Sequence, residues 1–117
     1  MSSDVSATKP LITDDPMYLL LRDGQVEEFN ERHARGEKCN LRQCNFRGVD
    51  LRGLDATGLD LTNAYLRGAD LRGLDLRETN LRGVSLAQAH VSGAYFAAEI
   101  RAEEIMMSVQ YGTRLRY

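Results

Sequence analysis

The sequence predicts a short solenoid closed at each end by helical segments, and three observations predict it. From Cys39 to Phe96 a small or apolar residue recurs at the first and third places of every five. Glycine falls at the fifth place at Gly48, Gly53, Gly58, Gly68, Gly73, Gly83 and Gly93, where tight turns are easiest. The flanking segments abandon this count for helix signals. A unit of five residues buries little alone and has to stack on copies of itself, which is the logic of a solenoid.

The elements follow in order. Residues 1–12 are small, polar and Pro-containing, and are expected to form a disordered tail. Residues 13–38 carry the first helical cap. Asp14 or Asp15 caps it, Pro16 suits the first helical position, and MYLLLR runs to a stop at Asp23-Gly24. A second helix is expected over Gln25 to Arg35, with Val26, Phe29 and His33 on one face and Gly36 ending it. Residues 39–98 are the repeat region, and 99–117 a C-terminal helical cap and tail. In that last segment Ile100, Ile105, Met106 and Val109 suggest an apolar stripe, and Gly112 a stop.

Split into fives, the middle reads CNLRQ, CNFRG, VDLRG, LDATG, LDLTN, AYLRG, ADLRG, LDLRE, TNLRG, VSLAQ, AHVSG and AYF. This pattern, A-(D/N)-L-x-x, resembles the pentapeptide repeat family, with ADLRG at Ala69 to Gly73 in near-ideal form. The resemblance implies an all-β solenoid: a right-handed quadrilateral β-helix of about three coils, each five residues forming one side of a square, capped here by short α-helices at both ends. In that geometry the first and third residues point inward and the others outward. Stacking every twenty residues then gives columns Leu41/Leu61/Leu81, Phe46/Leu66/Leu86, Leu51/Leu71/Val91 and Ala56/Leu76/Phe96. Phe46 and Phe96 are expected to close the two mouths, and bare strand edges call for caps.

Composition limits the chemistry. The chain has 117 residues, enough for one domain, and a net charge of −2. The repeat region is close to neutral, with seven arginines against six acids, so no basic excess favours direct nucleic-acid binding. The longest apolar run, MYLLL, is far short of a membrane span, and the first ten residues lack the pattern of a secretory signal. A cytoplasmic protein with reduced thiols is expected, with no membrane contact. Cys39 and Cys44 fall at inward first positions and suggest small buried side chains. With His33 and His90 distant, they supply no zinc set, and neither metal nor cofactor is expected. The recurrent G-x-x-x-x-G lacks the following Lys-Ser/Thr of a phosphate loop. Asp50 over Asp70 and Asp55 over Asp75, with Arg52 and Arg72 two residues on, are expected to form a checkerboard of surface salt bridges rather than an acid/base pair.

What remains is an outward array. Arg47, Arg52, Arg67 and Arg72 with Asp70 and Tyr65 are solvated ladder positions, or anchors for a protein partner on a flat wall. Radiating to four walls, the arginines are each expected to find acids as partners. Met106 and Met107 with Tyr111 and Tyr117 either cover the last coil or pair two protomers into a homodimer through the C-terminal helix. The sequence therefore points to a non-enzymatic interaction or scaffold module with an unidentified protein partner. The alternative comes from the resemblance: some members of the family mimic duplex DNA, bind type II topoisomerases such as DNA gyrase, and protect them from quinolone-like inhibitors. The near-neutral repeat region departs from that pattern.

Overall fold

The structure, a computed structural model, describes residues 9–117. Its elements are α1 (Pro16–Arg22), α2 (Val26–Ala34), β1 (Asp75–Leu76), β2 (Tyr95–Phe96) and α3 (Ala102–Tyr111). Between α2 and α3 the chain winds with a repeat of twenty residues. Parallel bridges join Asn45 to Tyr65, Asp50 to Asp70, Asp60 to Asn80, Tyr65 to Ser85 and Asp70 to His90. β1 pairs with β2 in the same register, Asp75 opposite Tyr95. Four walls result: the first (39–43, 59–63, 79–83), the second (44–48, 64–68, 84–88), the third (49–53, 69–73, 89–93) and the fourth (54–58, 74–78, 94–98).

Counting in fives is a consequence of the corner. The first residue of each unit donates its N–H to the third residue of the unit before, as Leu54 does to Leu51 at 3.0 Å and Ala69 to Leu66 at 3.0 Å. That closes a four-residue turn whose third member is the fifth residue of the unit, and at every such corner except Glu78 this residue takes a left-handed backbone. The non-glycine residues Gln43, Asn63 and Gln88 adopt it too, at φ 63°, 62° and 58°. Gly83 shows why glycine is favoured: a Cβ there would lie 1.9 Å from Asn63 Oδ1 in the coil above. Each unit spends most of its length on the turn, so pairing extends to two residues only in the fourth wall, and regular strands are fewer than an all-β reading implies.

The inward columns form the core. Leu41, Phe46, Leu51, Ala56, Leu61, Leu66, Leu71, Leu76, Leu81 and Leu86 are all buried. Polar Thr79 joins them by donating its hydroxyl to Ala56 O at 2.8 Å, which removes the penalty of an orphan group.

The upper end is capped by hydrogen-bond mimicry as much as by apolar cover. Asp15 caps α1 through Met17 N at 2.8 Å and also accepts Asn40 N at 2.8 Å. Asn30 on α2 behaves like a peptide group of a missing coil, donating to Gly53 O and accepting from Asp55 N, both at 2.9 Å. Tyr18 meets Phe46 edge-on at 5.3 Å and donates to Asn45 O at 2.7 Å. The expected tail covers residues 1–8, which lie outside the described residues, and 9–12, where the expectation is corrected. Leu11 adds itself as a parallel neighbour of Cys44, with Leu11 N to Gln43 O at 2.9 Å and Asn45 N to Leu11 O at 2.7 Å. The bare edge at the top of the second wall draws it in.

The lower end differs from expectation. Ile100 is buried but precedes α3, and within the helix Ile105 and Val109 of the expected stripe pack against the core while Met106 is 57% exposed. The residue α3 buries is Ser108, whose Oγ accepts Leu86 N at 2.8 Å. Residues 113–117 fold back beneath the second and first walls. Arg114 bridges Ser85 in antiparallel fashion, Gly83 N donates to Leu115 O and Leu115 N to Val84 O, both at 2.9 Å, and Tyr117 Oη accepts Leu81 N at 2.8 Å. This cover stops halfway. Phe96, expected to close the mouth, is only half-buried, and Val91 N and Gly93 N find no partner among the described residues.

Candidate interaction surface

The sequence-selected residues do not converge. They divide among the second wall (Arg47, Tyr65, Arg67), the third wall (Arg52, Asp70, Arg72) and α3 (Met106, Met107, Tyr111).

On the third wall the expected salt-bridge checkerboard forms, with most of its strength within each unit. Arg72 reaches Asp70 at 2.7 Å and Arg52 reaches Asp50 at 2.8 Å, while the link between coils, Arg52 to Asp70, is longer at 3.4 Å. The fourth wall repeats the motif with Arg77 and Asp75 at 2.8 Å, and the guanidinium also lies 5.2 Å from the Tyr95 ring centre. The rule is local: a side of the form D-x-R closes its own ion pair. Hydrogen bonds from Arg72 and Arg77 hold the Asp70 and Asp75 carboxyls down at about 2.

The ordinary unfolded value of an aspartate is about 3.9. These folded values are depressed, so the pairs contribute stability above pH ~4 and lose it as pH falls from ~4 toward ~2. The urea midpoint is expected to drop across that window. In Asp70→Asn/Asp75→Asn the drop should be shallower; an identical profile would show that the pairs do not couple to folding.

The other walls break the rule, which corrects the expectation that every arginine finds an acid. Arg82 on the first wall stacks on the Tyr117 ring at 4.3 Å and donates to Tyr117 O at 3.2 Å. Arg42 sits 3.8 Å from Asp60. On the second wall the residues two places ahead of the arginine column are Asn45, Tyr65 and Ser85, none acidic. Arg47 and Arg67 are exposed and form no ion pair among the described residues. Two further arginines join them that the sequence reading missed. Arg114 lies over the Tyr65 ring at 5.0 Å, donates to the Tyr65 hydroxyl and bonds Gly83 O at 3.0 Å. Arg22, from the end of α1, bonds Tyr18 Oη at 3.0 Å and Asn45 O at 3.2 Å. The alternation in Thr113-Arg114-Leu115-Arg116-Tyr117 was the available signal for Arg114, since it marks an edge strand with Leu115 turned inward.

On α3, Met106, Met107 and Tyr111 are exposed, and Met106 borders a shallow apolar depression of about 190 Å³ with Val91, Ile105 and Val109. Tyr117 belongs to the core cover instead, through its bond to Leu81 N. Burial and the negative charge of Asp15 push the Cys39 and Cys44 thiols up to about 11, the behaviour of structural rather than reactive cysteines. His33 contacts Thr57 O at 3.0 Å and stacks near Phe29. Among the described residues no group of three or more His, Cys, Asp or Glu is placed to hold a metal ion, and no helix is long and apolar enough to cross a membrane.

Comparison with known families matches the chain to pentapeptide repeats, in eight copies over residues 37–68 and 60–96. No curated protein and no solved structure matches it significantly.

Proposed function

The chain belongs to the pentapeptide repeat family, and from that premise we propose that it is a non-enzymatic interaction module, a right-handed quadrilateral β-helix of three coils offering rigid walls to a protein partner. One observation carries this reading. Inward positions hold packed Leu, Ala, Val, Phe, one satisfied Thr and two cysteines whose thiols are pushed up to about 11, while the charged side chains stand outward on flat walls, spaced by the coil rise of about 4.8 Å. Such walls present arginine and tyrosine on a backbone whose ordering cost is already met by folding, which favours recognition over catalysis.

DNA mimicry toward a type II topoisomerase has less support. It asks for a sustained negative surface, whereas Asp50, Asp70 and Asp75 are paired with Arg52, Arg72 and Arg77, and only Asp55 and Glu78 of the fourth wall stand without an ion pair among the described acids of these two walls. Affinity capture with the full chain, read by mass spectrometry, is expected to return a defined protein partner that rebinds when purified. That partner is either a different chain or a second copy held through Met106, Met107 and Tyr111. Gyrase supercoiling in the presence of a quinolone is expected to be unprotected at micromolar protein. Protection there, or failure to capture any partner, would sink the proposal.

A further inference from the structure

The second wall differs from the other three in a way that names the chemistry of a partner. Arg22, Arg47, Arg67 and Arg114 follow one another from the upper cap to the lower edge, around Tyr65. None lies within ion-pair distance of a carboxylate among the described residues, and no acid occupies an outward position of this wall. The nearest acids by topology are engaged elsewhere: Asp60 with Arg42 on one side, Asp50 and Asp70 with Arg52 and Arg72 on the other, Glu104 with Arg116 below. Asp23, next to Arg22 in the chain, makes no ion pair. Four cations are thus concentrated on one face of a chain whose net charge is −2.

We propose that this wall docks an extended, acidic segment of a protein partner, with carboxylates on Arg22, Arg47, Arg67 and Arg114 and the segment lying along Tyr65. The inference rests on the interaction-module reading and adds the class of partner. An extended strand places alternate side chains on one side at roughly 6.5–7 Å, so two or three carboxylates match a row of cations that rises through two to three coils of about 4.8 Å each. Arginine forks suit carboxylates in a paired geometry, and tyrosine supplies the rigid amphipathic surface common at protein interfaces. A duplex nucleic acid fits less well. It carries a charge about every 1.7 Å, and its binding needs a positive field that outlasts four side chains and is not opposed by a net negative body.

The test uses the full chain and a fluorescein-labelled ten-residue peptide with glutamate at alternate positions, read by anisotropy at about 50 mM and 300 mM salt. Binding is expected at low salt, weakened severalfold at high salt. The exposed double substitution Arg47→Glu/Arg67→Glu should weaken it at least tenfold. The charge-matched control Arg35→Glu/Arg101→Glu, on the two caps, should change it less than threefold. Circular dichroism checks that both variants keep the wild-type fold. Absent binding, equal loss in both variants, or tighter binding of a ten-nucleotide single strand with the same sensitivity to the Arg47/Arg67 exchange each overturn the proposal. A captured partner that still binds Arg47→Glu/Arg67→Glu at wild-type strength overturns the wall assignment while leaving the interaction-module reading intact.

Discussion

Leu71→Asp is expected to yield a chain with no cooperative unfolding transition at 25 °C. Leu71 is 1% exposed and sits in the middle coil, with Leu51 above and Val91 below in its column. Removing it forfeits the ~2–5 kcal/mol of a buried leucine truncation. The carboxylate that replaces it lies in the apolar core with no charged residue among the inward positions, and burying it unpaired costs several kcal/mol more. Domains of this size hold roughly 5–15 kcal/mol in all, so the substitution consumes most or all of it. Far-UV circular dichroism against urea reads the result. One residue along, Arg72→Ala removes an exposed surface pair and is expected to leave the urea midpoint close to wild type at neutral pH. A wild-type midpoint for Leu71→Asp would mean that the third positions do not face the axis.

The second large effect concerns the lower edge. Deleting residues 113–117 removes the strand bonded to Leu81, Gly83 and Val84 and strips partners from Leu81 N, Gly83 N and Val84 O. Burial of Leu115 is worth ~2 kcal/mol, and the lost edge hydrogen bonds about 1 kcal/mol each, so a destabilisation of about 4–5 kcal/mol is expected. The exposed edge should also pair with other copies, giving concentration-dependent association by sedimentation velocity. A shortened chain as stable and as dispersed as the parent would show that the fold-back strand contributes nothing to the cap.

The repeat region was readable in the sequence because its code is redundant. Register, inward columns and corners are each written a dozen times over, so Gln43, Asn63 and Gln88 were placed at corners by position despite not being glycine. The caps were less readable because apolarity was the signal followed there. The edge of a solenoid asks for donors and acceptors, and the residues that supply them, Asp15, Asn30 and Ser108, are polar. Met106, counted in the apolar stripe and also among the candidate surface residues, is exposed, while Ser108, which carried no apolar signal, is buried. The arginines followed a third rule. Pairing depends on whether an aspartate stands two places earlier, and on the second wall Asn45, Tyr65 and Ser85 stand there instead.

The twenty-residue repeat also constrains how this molecule can grow by internal duplication. Copying a whole coil would set both caps one storey further apart and leave every wall facing as before, with one more arginine in the second wall's row if the copied coil supplies it. Copying a single unit of five would turn everything downstream by a quarter revolution. Ser108 would lose Leu86, Arg114 would swing away from Tyr65, and the lower cap would meet a wall whose corners it does not fit. Length can change by small steps in the sequence, yet only every fourth step returns a working end.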